Sequence, residues 1–277
     1  MGGWVIKPAR NRIYVAFSFM RLIVMTKAVL AIAFVVCLTV SLGVAAPALA
    51  QIAAPPQQAD DATLAAKFRE TRAAAERGDA VAQSNLGVMY ARGDSVERDD
   101  AQAIVWFRKA ADQGNADAEY HLSYMYGNGR GVTKDDAQAV VWFRKAADQA
   151  HAKAQFGLGV MYAHGRGVAQ DPVQAVAWWR KAADRGDADA QSLLGSSYAL
   201  GRGVPRDDAQ AVVWLRKAAD RGNAKAQSFI GLAYKNGYGG VPQDYAQAVV
   251  WLRKAADQGD AQAKEELRKL EAAGLIK

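Results

Sequence analysis

"GRGVTKDDAQAVVWFRKAA", residues 129–147, returns almost letter for letter as "GRGVPRDDAQAVVWLRKAA" at residues 201–219. The same phrase stands between these two copies and on either side of them: "RDDAQAIVWFRKAA" from 98, "AQDPVQAVAWWRKAA" from 169 and "PQDYAQAVVWLRKAA" from 242. Trp106, Trp142, Trp178, Trp214 and Trp251 mark a beat of 36, 36, 36 and 37 residues. The extra residue falls in the stretch Gly237, Tyr238, Gly239, Gly240, which identifies that stretch as loop. A period of this length signals a stacked array, in which each unit is one supersecondary element that cannot bury its apolar face alone.

Each unit has two halves. In the first, Ala118, Leu122, Met125 and Tyr126 recur at helical spacing over 116–128, which predicts a helix, A. The pair Gly129 and Gly131 predicts a tight reversal through positive φ. The second half opens with Asp135 and, three residues on, Gln138. That pair resembles a capping box, and it recurs as Asp99 with Gln102, Asp171 with Gln174, Asp207 with Gln210 and Asp244 with Gln247. Helix B then carries Ala139, Trp142, Phe143 and Ala146 on one face. It ends at Gly114, Gly186, Gly222 or Gly259, suited to a left-handed cap. Ala150 holds that place in one unit, where either strain or a helix end without the cap is expected. Gly87, Gly159, Gly195 and Gly231, with Ser123 in the second unit, predict notches in helix A that let helix B approach. Each tryptophan is expected to bury its ring between units, so that Trp142→Ala, in an internal unit, costs more stability than Trp251→Ala at the end.

Written as a pattern, A-x-A-Q-x-x-L-G-x-x-Y-x-x-G-x-G-V-x-x-D-x-x-x-A-x-x-W-x-x-K-A-A-x-x-G resembles the Sel-one-like repeat, a relative of the tetratricopeptide repeat. It covers five full units, 80–115, 116–151, 152–187, 188–223 and 224–260, flanked by capping helices at 62–79 and 261–277. The resemblance implies an all-α, right-handed solenoid of helix-turn-helix units with helix A on the concave wall, and protein binding rather than catalysis. It also implies that the second, fifth, ninth, twelfth and thirteenth positions of helix A face inward. These positions vary while the skeleton does not. Tyr120, Tyr124 and Phe156 gather in adjacent units, flanked by Asp117, Asn128 and Lys153, with His164 and Lys225 further along. Aromatic residues with a polar border are favoured at binding hot spots, so these eight residues form the expected partner groove.

The first fifty residues stand apart from the array. Lys27 precedes an apolar run from Ala28 to Ala46, and Ala48-Leu49-Ala50 supplies an Ala-x-Ala cleavage pattern, the signature of an export signal cut after Ala50. The signal is read as starting at Met25, with residues 1–24 an over-extended start or a long basic leader, and it places the mature protein in the periplasm; an uncleaved membrane anchor is the alternative. Residues 51–61, with Pro55 and Pro56, read as an unstructured tether. Residues 1–50 hold Lys7, Arg10, Arg12, Arg21 and Lys27 and no acid, so the remainder carries 30 basic against 28 acidic residues, where the whole chain has a net charge of +7. No basic face for nucleic acid is expected. The sole cysteine, Cys37, lies in the apolar run, which leaves the exported part without a disulfide.

Little in the sequence points to chemistry. His121, His151 and His164 have no partner at metal or triad spacing. The acid pairs at each helix B start read as caps, and Gly-x-Gly in the loops lacks the strand and Lys of a phosphate cradle. No catalytic residue, metal or cofactor is expected. The reading is a non-enzymatic scaffold or regulator in the cell envelope, holding a peptide or helix of an envelope protein. An envelope enzyme acting on peptidoglycan or β-lactams and a secreted effector that engages host proteins are the alternatives.

Overall fold

The computed structural model describes residues 56–276, and the compact unit runs from Ala59 to Lys277. The export signal and the start at Met25 lie outside the described residues. Twelve helices and no strand are described: α1 Pro56–Glu76, α2 Ala80–Arg92, α3 Asp100–Ala111, α4 Ala116–Asn128, α5 Asp136–Asp148, α6 Ala152–His164, α7 Pro172–Asp184, α8 Ala188–Leu200, α9 Asp208–Asp220, α10 Ala224–Asn236, α11 Tyr245–Asp257 and α12 Ala261–Ala272. The even-numbered helices α2 to α10 are the A helices of five hairpins, and α12 is a sixth without a partner. Part of the expected tether is therefore helical, because Pro56 is tolerated at a first helical position and the residues after it are mostly good helix formers.

Each hairpin packs A on B, and each B packs on the next A, giving a continuous all-α solenoid. Two A helices also touch the A helix one unit on, α2 with α4 and α10 with α12, which puts the A helices on the tighter wall. The cores sit at the junctions. Ala103, Ile104, Phe107 and Ala110 of α3, for example, close with Ala118, Leu122 and Met125 of α4.

Local chemistry fixes the helix starts. Asp135 accepts from the backbone N–H of Gln138 at 2.9 Å, as Asp207 and Asp244 do from Gln210 and Gln247. The box does not close. The aspartate's own N–H donates instead to the carbonyl of a tyrosine in the preceding helix A, Asp135 to Tyr126 at 2.9 Å and Asp171 to Tyr162 at 2.9 Å, so the glutamine has no donor to receive. Ala150 takes the strained option, adopting φ 64° in place of the glycines that hold the other B-helix ends. Gly131 has a second reason to lack a side chain, since a Cβ there would stand 2.4 Å from the carbonyl oxygen of Asp100 in the unit before.

The notches are real. A Cβ on Gly87 would lie 2.6 Å from the Phe107 ring, one on Gly159 2.5 Å from Trp179, and those on Gly195 and Gly231 2.6 Å from Leu215 and Leu252. The tryptophans remove the premise of one expectation, that the end unit holds its tryptophan less completely. Each packs backward, onto the junction before its own unit: Trp142 on the α3/α4 core, Trp178 on α5/α6, Trp214 on α7/α8 and Trp251 on α9/α10. The last unit therefore gives its tryptophan a complete socket. Trp251 is 4% exposed, while Trp142 is only half-buried.

Polar contacts stitch unit to unit as well. Gln155, Gln191 and Gln227 of the A helices donate to the carbonyls of Ala147, Ala183 and Ala219 at the end of the preceding helix B, at 3.0–3.1 Å. In the second unit a carboxylate, Glu119, occupies this buried place and accepts from Gln149 Nε2 at 2.7 Å. Burial pushes its pKa upward.

Candidate functional site

One substitution in the repeat opens the inner wall between the second and third units. Elsewhere a small notch in helix A receives the side chain after or near the tryptophan of helix B. In the second unit Ser123 fills the notch, fully buried, its hydroxyl donating to the Tyr120 carbonyl at 2.6 Å. Phe143, the counterpart of the sealed Phe107, is half-buried and its ring lies instead against Gly157 of α6, where a Cβ would be 2.4 Å away. Gly157 replaces Asn85, His121, Leu193 and Phe229 of the other units. A cavity of about 250 Å3 results, lined by Tyr120, Tyr124, Phe143, Phe156 and Val160, with Asn128 and Lys153 among its polar residues.

A second cavity of about 260 Å3 lies one junction earlier, walled by Val88, Phe107 and His121 and sharing Tyr120, Tyr124 and Lys153 with the first. The two tyrosines thus form a ridge between adjoining hollows. Tyr124 is 49% exposed, and Tyr120 and Phe156 are half-buried, whereas the fifth position of the other units holds buried Ser84, Ser192 and Ser228. The side chains of Arg92 and Lys153 border the hollows with no hydrogen bond or ion pair to any described residue.

Of the eight residues read from sequence, the first cavity brings together Tyr120, Tyr124, Asn128, Lys153 and Phe156. Asp117 is engaged within the chain, accepting from His151 Nε2 at 3.1 Å. That histidine caps α6, its Nδ1 accepting from the Ala154 N–H at 3.1 Å, which leaves the proton on Nε2, and its ring stacks on Tyr120 with centroids 4.9 Å apart. His164 lines a third cavity at the junction of the third and fourth units, with its Nδ1 3.0 Å from the Val160 carbonyl. Lys225 is exposed on α10, away from these hollows.

Sequence reasoning missed Phe143, Gly157 and His121. The signal was the glycine at 157, out of register with the notch series. His121 stacks on Phe107 at 4.8 Å, and burial lowers its pKa to about 4, so it is neutral and aromatic in character at pH 7. Among the described residues no three of His, Cys, Asp and Glu gather closely enough to hold a metal ion, and no helix is long and apolar enough to cross a membrane.

The Sel1 repeat family model matches five times, over 80–115, 116–151, 152–187, 188–223 and 224–260. A solved Sel1 repeat protein from Oxalobacter formigenes is 38% identical with a TM-score of 0.69, covering 73% of this chain and 59% of its own. A second, c5321, described as a protective antigen of uropathogenic Escherichia coli displaying an SLR fold, is 33% identical with a TM-score of 0.55, covering 73% of this chain and 51% of its own. The chain thus spans between half and three-fifths of the length of these relatives. No curated protein matches it significantly. The chain belongs to the Sel1 repeat family, whose members generally serve as non-catalytic scaffolds for protein–protein contacts.

Proposed function

We propose that the inner wall of the first three units captures a segment of a protein partner, a peptide or helix whose apolar side chains enter the paired hollows. The observation that carries this reading is the exposure of Tyr120, Tyr124 and Phe156 at positions where the other units hold small or aliphatic residues. Large aromatic surface left out of a core and rimmed by polar groups is the composition of a binding hot spot. Arg92 and Lys153, free of carboxylates, favour a segment with acidic residues beside its apolar anchors. The partner in this reading is an envelope protein, because Lys27, the run Ala28–Ala46 and Ala48-Leu49-Ala50 form an export signal.

The double variant Tyr120→Ala, Phe156→Ala tests the groove. Crosslinking and pull-down from the native envelope should yield a partner with the wild type and none with the variant, while circular dichroism and Tm stay near wild type. Capture undiminished in the variant would remove the proposal. Mass spectrometry of the mature protein tests the location separately, the expected N-terminal residue being Gln51.

A further inference from the structure

A recurring clamp joins the turns of the second, third and fifth units to the helix B start of the unit before. Arg130 donates to Asp100, Nη2 to Oδ1 at 2.5 Å and Nε to Oδ2 at 3.2 Å, and also to the Ala91 carbonyl at 2.8 Å. Arg166 repeats this with Asp136 at 2.6 and 3.3 Å and with the Gly127 carbonyl at 3.3 Å. In the last unit the Tyr238 hydroxyl stands in, donating to Asp208 at 2.5 Å.

At the junction of the third and fourth units both acceptors are missing. Pro172 takes the place of the aspartate. The Ala163 carbonyl, counterpart of Ala91 and Gly127, accepts instead from Gln170 Nε2 at 2.9 Å. The Arg202 guanidinium is left exposed, with no hydrogen bond or ion pair to any described residue, while the backbone N–H donates to the Ser197 carbonyl at 3.0 Å. It borders the largest of the three junction hollows, about 630 Å3, whose walls include Trp179, Leu193 and Leu200 with His164 and Ser196. Leu200 is 60% exposed at this hollow.

We propose that this hollow is a carboxylate-binding site, in which Arg202 takes from a ligand the carboxylate that Asp100 and Asp136 supply to its counterparts. A guanidinium fork matches a carboxylate in two parallel hydrogen bonds, and the adjoining apolar wall accommodates an apolar body attached to it. The ligand class is an acidic group on an apolar peptide. The site stands apart from the aromatic ridge of the first three units and does not depend on it.

Three probes test it on the full chain: acetyl-Leu-Leu with a free terminal carboxylate, acetyl-Leu-Leu-Glu amide, and the neutral acetyl-Leu-Leu-Gln amide. Binding is read from the Arg202 Nε resonance by NMR, with Arg166 as an internal reference. Saturable movement of Arg202 with an acidic probe and none with the neutral one is expected. The acid that binds more tightly identifies a chain terminus or a side chain as the source. Arg202→Gln should weaken the acidic probes by about tenfold or more, the loss of a charge-assisted pair. Pro172→Asp, which restores the missing carboxylate to α7, should weaken them similarly while raising Tm, so that reduced binding is not confused with unfolding. Equal binding of the neutral probe, an unmoved Arg202 with all three, or undiminished affinity in Pro172→Asp would overturn the proposal.

Discussion

The same substitution, glycine to alanine in an A helix, should have opposite signs at two positions, one in the second unit and one in the fourth. Helix propensity favours alanine by about 1 kcal/mol wherever the added methyl meets no resistance. At Gly127 the nearest heavy atom to the new Cβ is the Ala139 Cβ at 3.6 Å, an ordinary contact, so Gly127→Ala should gain about 0.5–1 kcal/mol. At Gly195 the methyl would stand 2.6 Å from Leu215 Cγ and 3.0 Å from both the Ala211 oxygen and the Leu215 nitrogen. Backbone on two residues of α9 cannot retreat as a side-chain tip can. Overpacking of this kind costs about 1–3 kcal/mol or more, which exceeds the propensity gain and leaves a net loss of about 1–2 kcal/mol. For a chain of this size each kcal/mol moves Tm by about 2–4 °C. Calorimetry should therefore show Gly127→Ala rising by about 2 °C and Gly195→Ala falling by about 4 °C. A rise in both would refute the claim that Gly195 and its counterparts are steric notches between helices A and B of one hairpin.

Three other outcomes follow from the packing and the charges. Glu119 has a folded pKa raised by burial, so its stabilising contribution is present below its unfolded pKa and is lost as pH rises through the folded value. Glu119→Gln should thus gain about 1 kcal/mol at pH 7, donating to the Ala111 carbonyl as the other units' glutamines do to theirs, and the gain should shrink toward zero in acid. Asp100 behaves oppositely, its pKa held down to about 2 by hydrogen bonds from Arg130 and Arg98. Its contribution is present above the unfolded carboxylate value near 3.8 and disappears as pH falls toward 2, so Asp100→Asn should cost about 1 kcal/mol at pH 7 and nothing near pH 2 in urea titrations. Trp251→Ala should cost about 4 kcal/mol and Trp142→Ala nearer 2, because the end tryptophan is the more deeply buried and is flanked by Arg216 and Lys254 at 4.6 and 4.2 Å. A larger loss at Trp142 would restore the argument that end units are the weaker ones.

The repeat period, the A and B helices, the reversing glycines, the capping aspartates and the small residues of helix A are all legible in the sequence. Each reports a local demand: a φ value, an orphan N–H, an apolar face at helical spacing. The variable inner positions were legible as well, because five copies of one scaffold make every departure visible. What the sequence could not give is where a freed group goes once its usual neighbour is replaced. That Ser123 sends the Phe143 ring to Gly157 depends on steric competition between residues on three helices. That the capping glutamines do not reciprocate depends on tyrosine carbonyls one turn of chain away. That the tryptophans serve the junction behind them depends on how one hairpin seats on the next, and that Arg202 loses both acceptors depends on that seating and on Gln170 turning back to the Ala163 carbonyl. Local rules fix the unit, and only the stacking decides which of its side chains are left to meet another molecule.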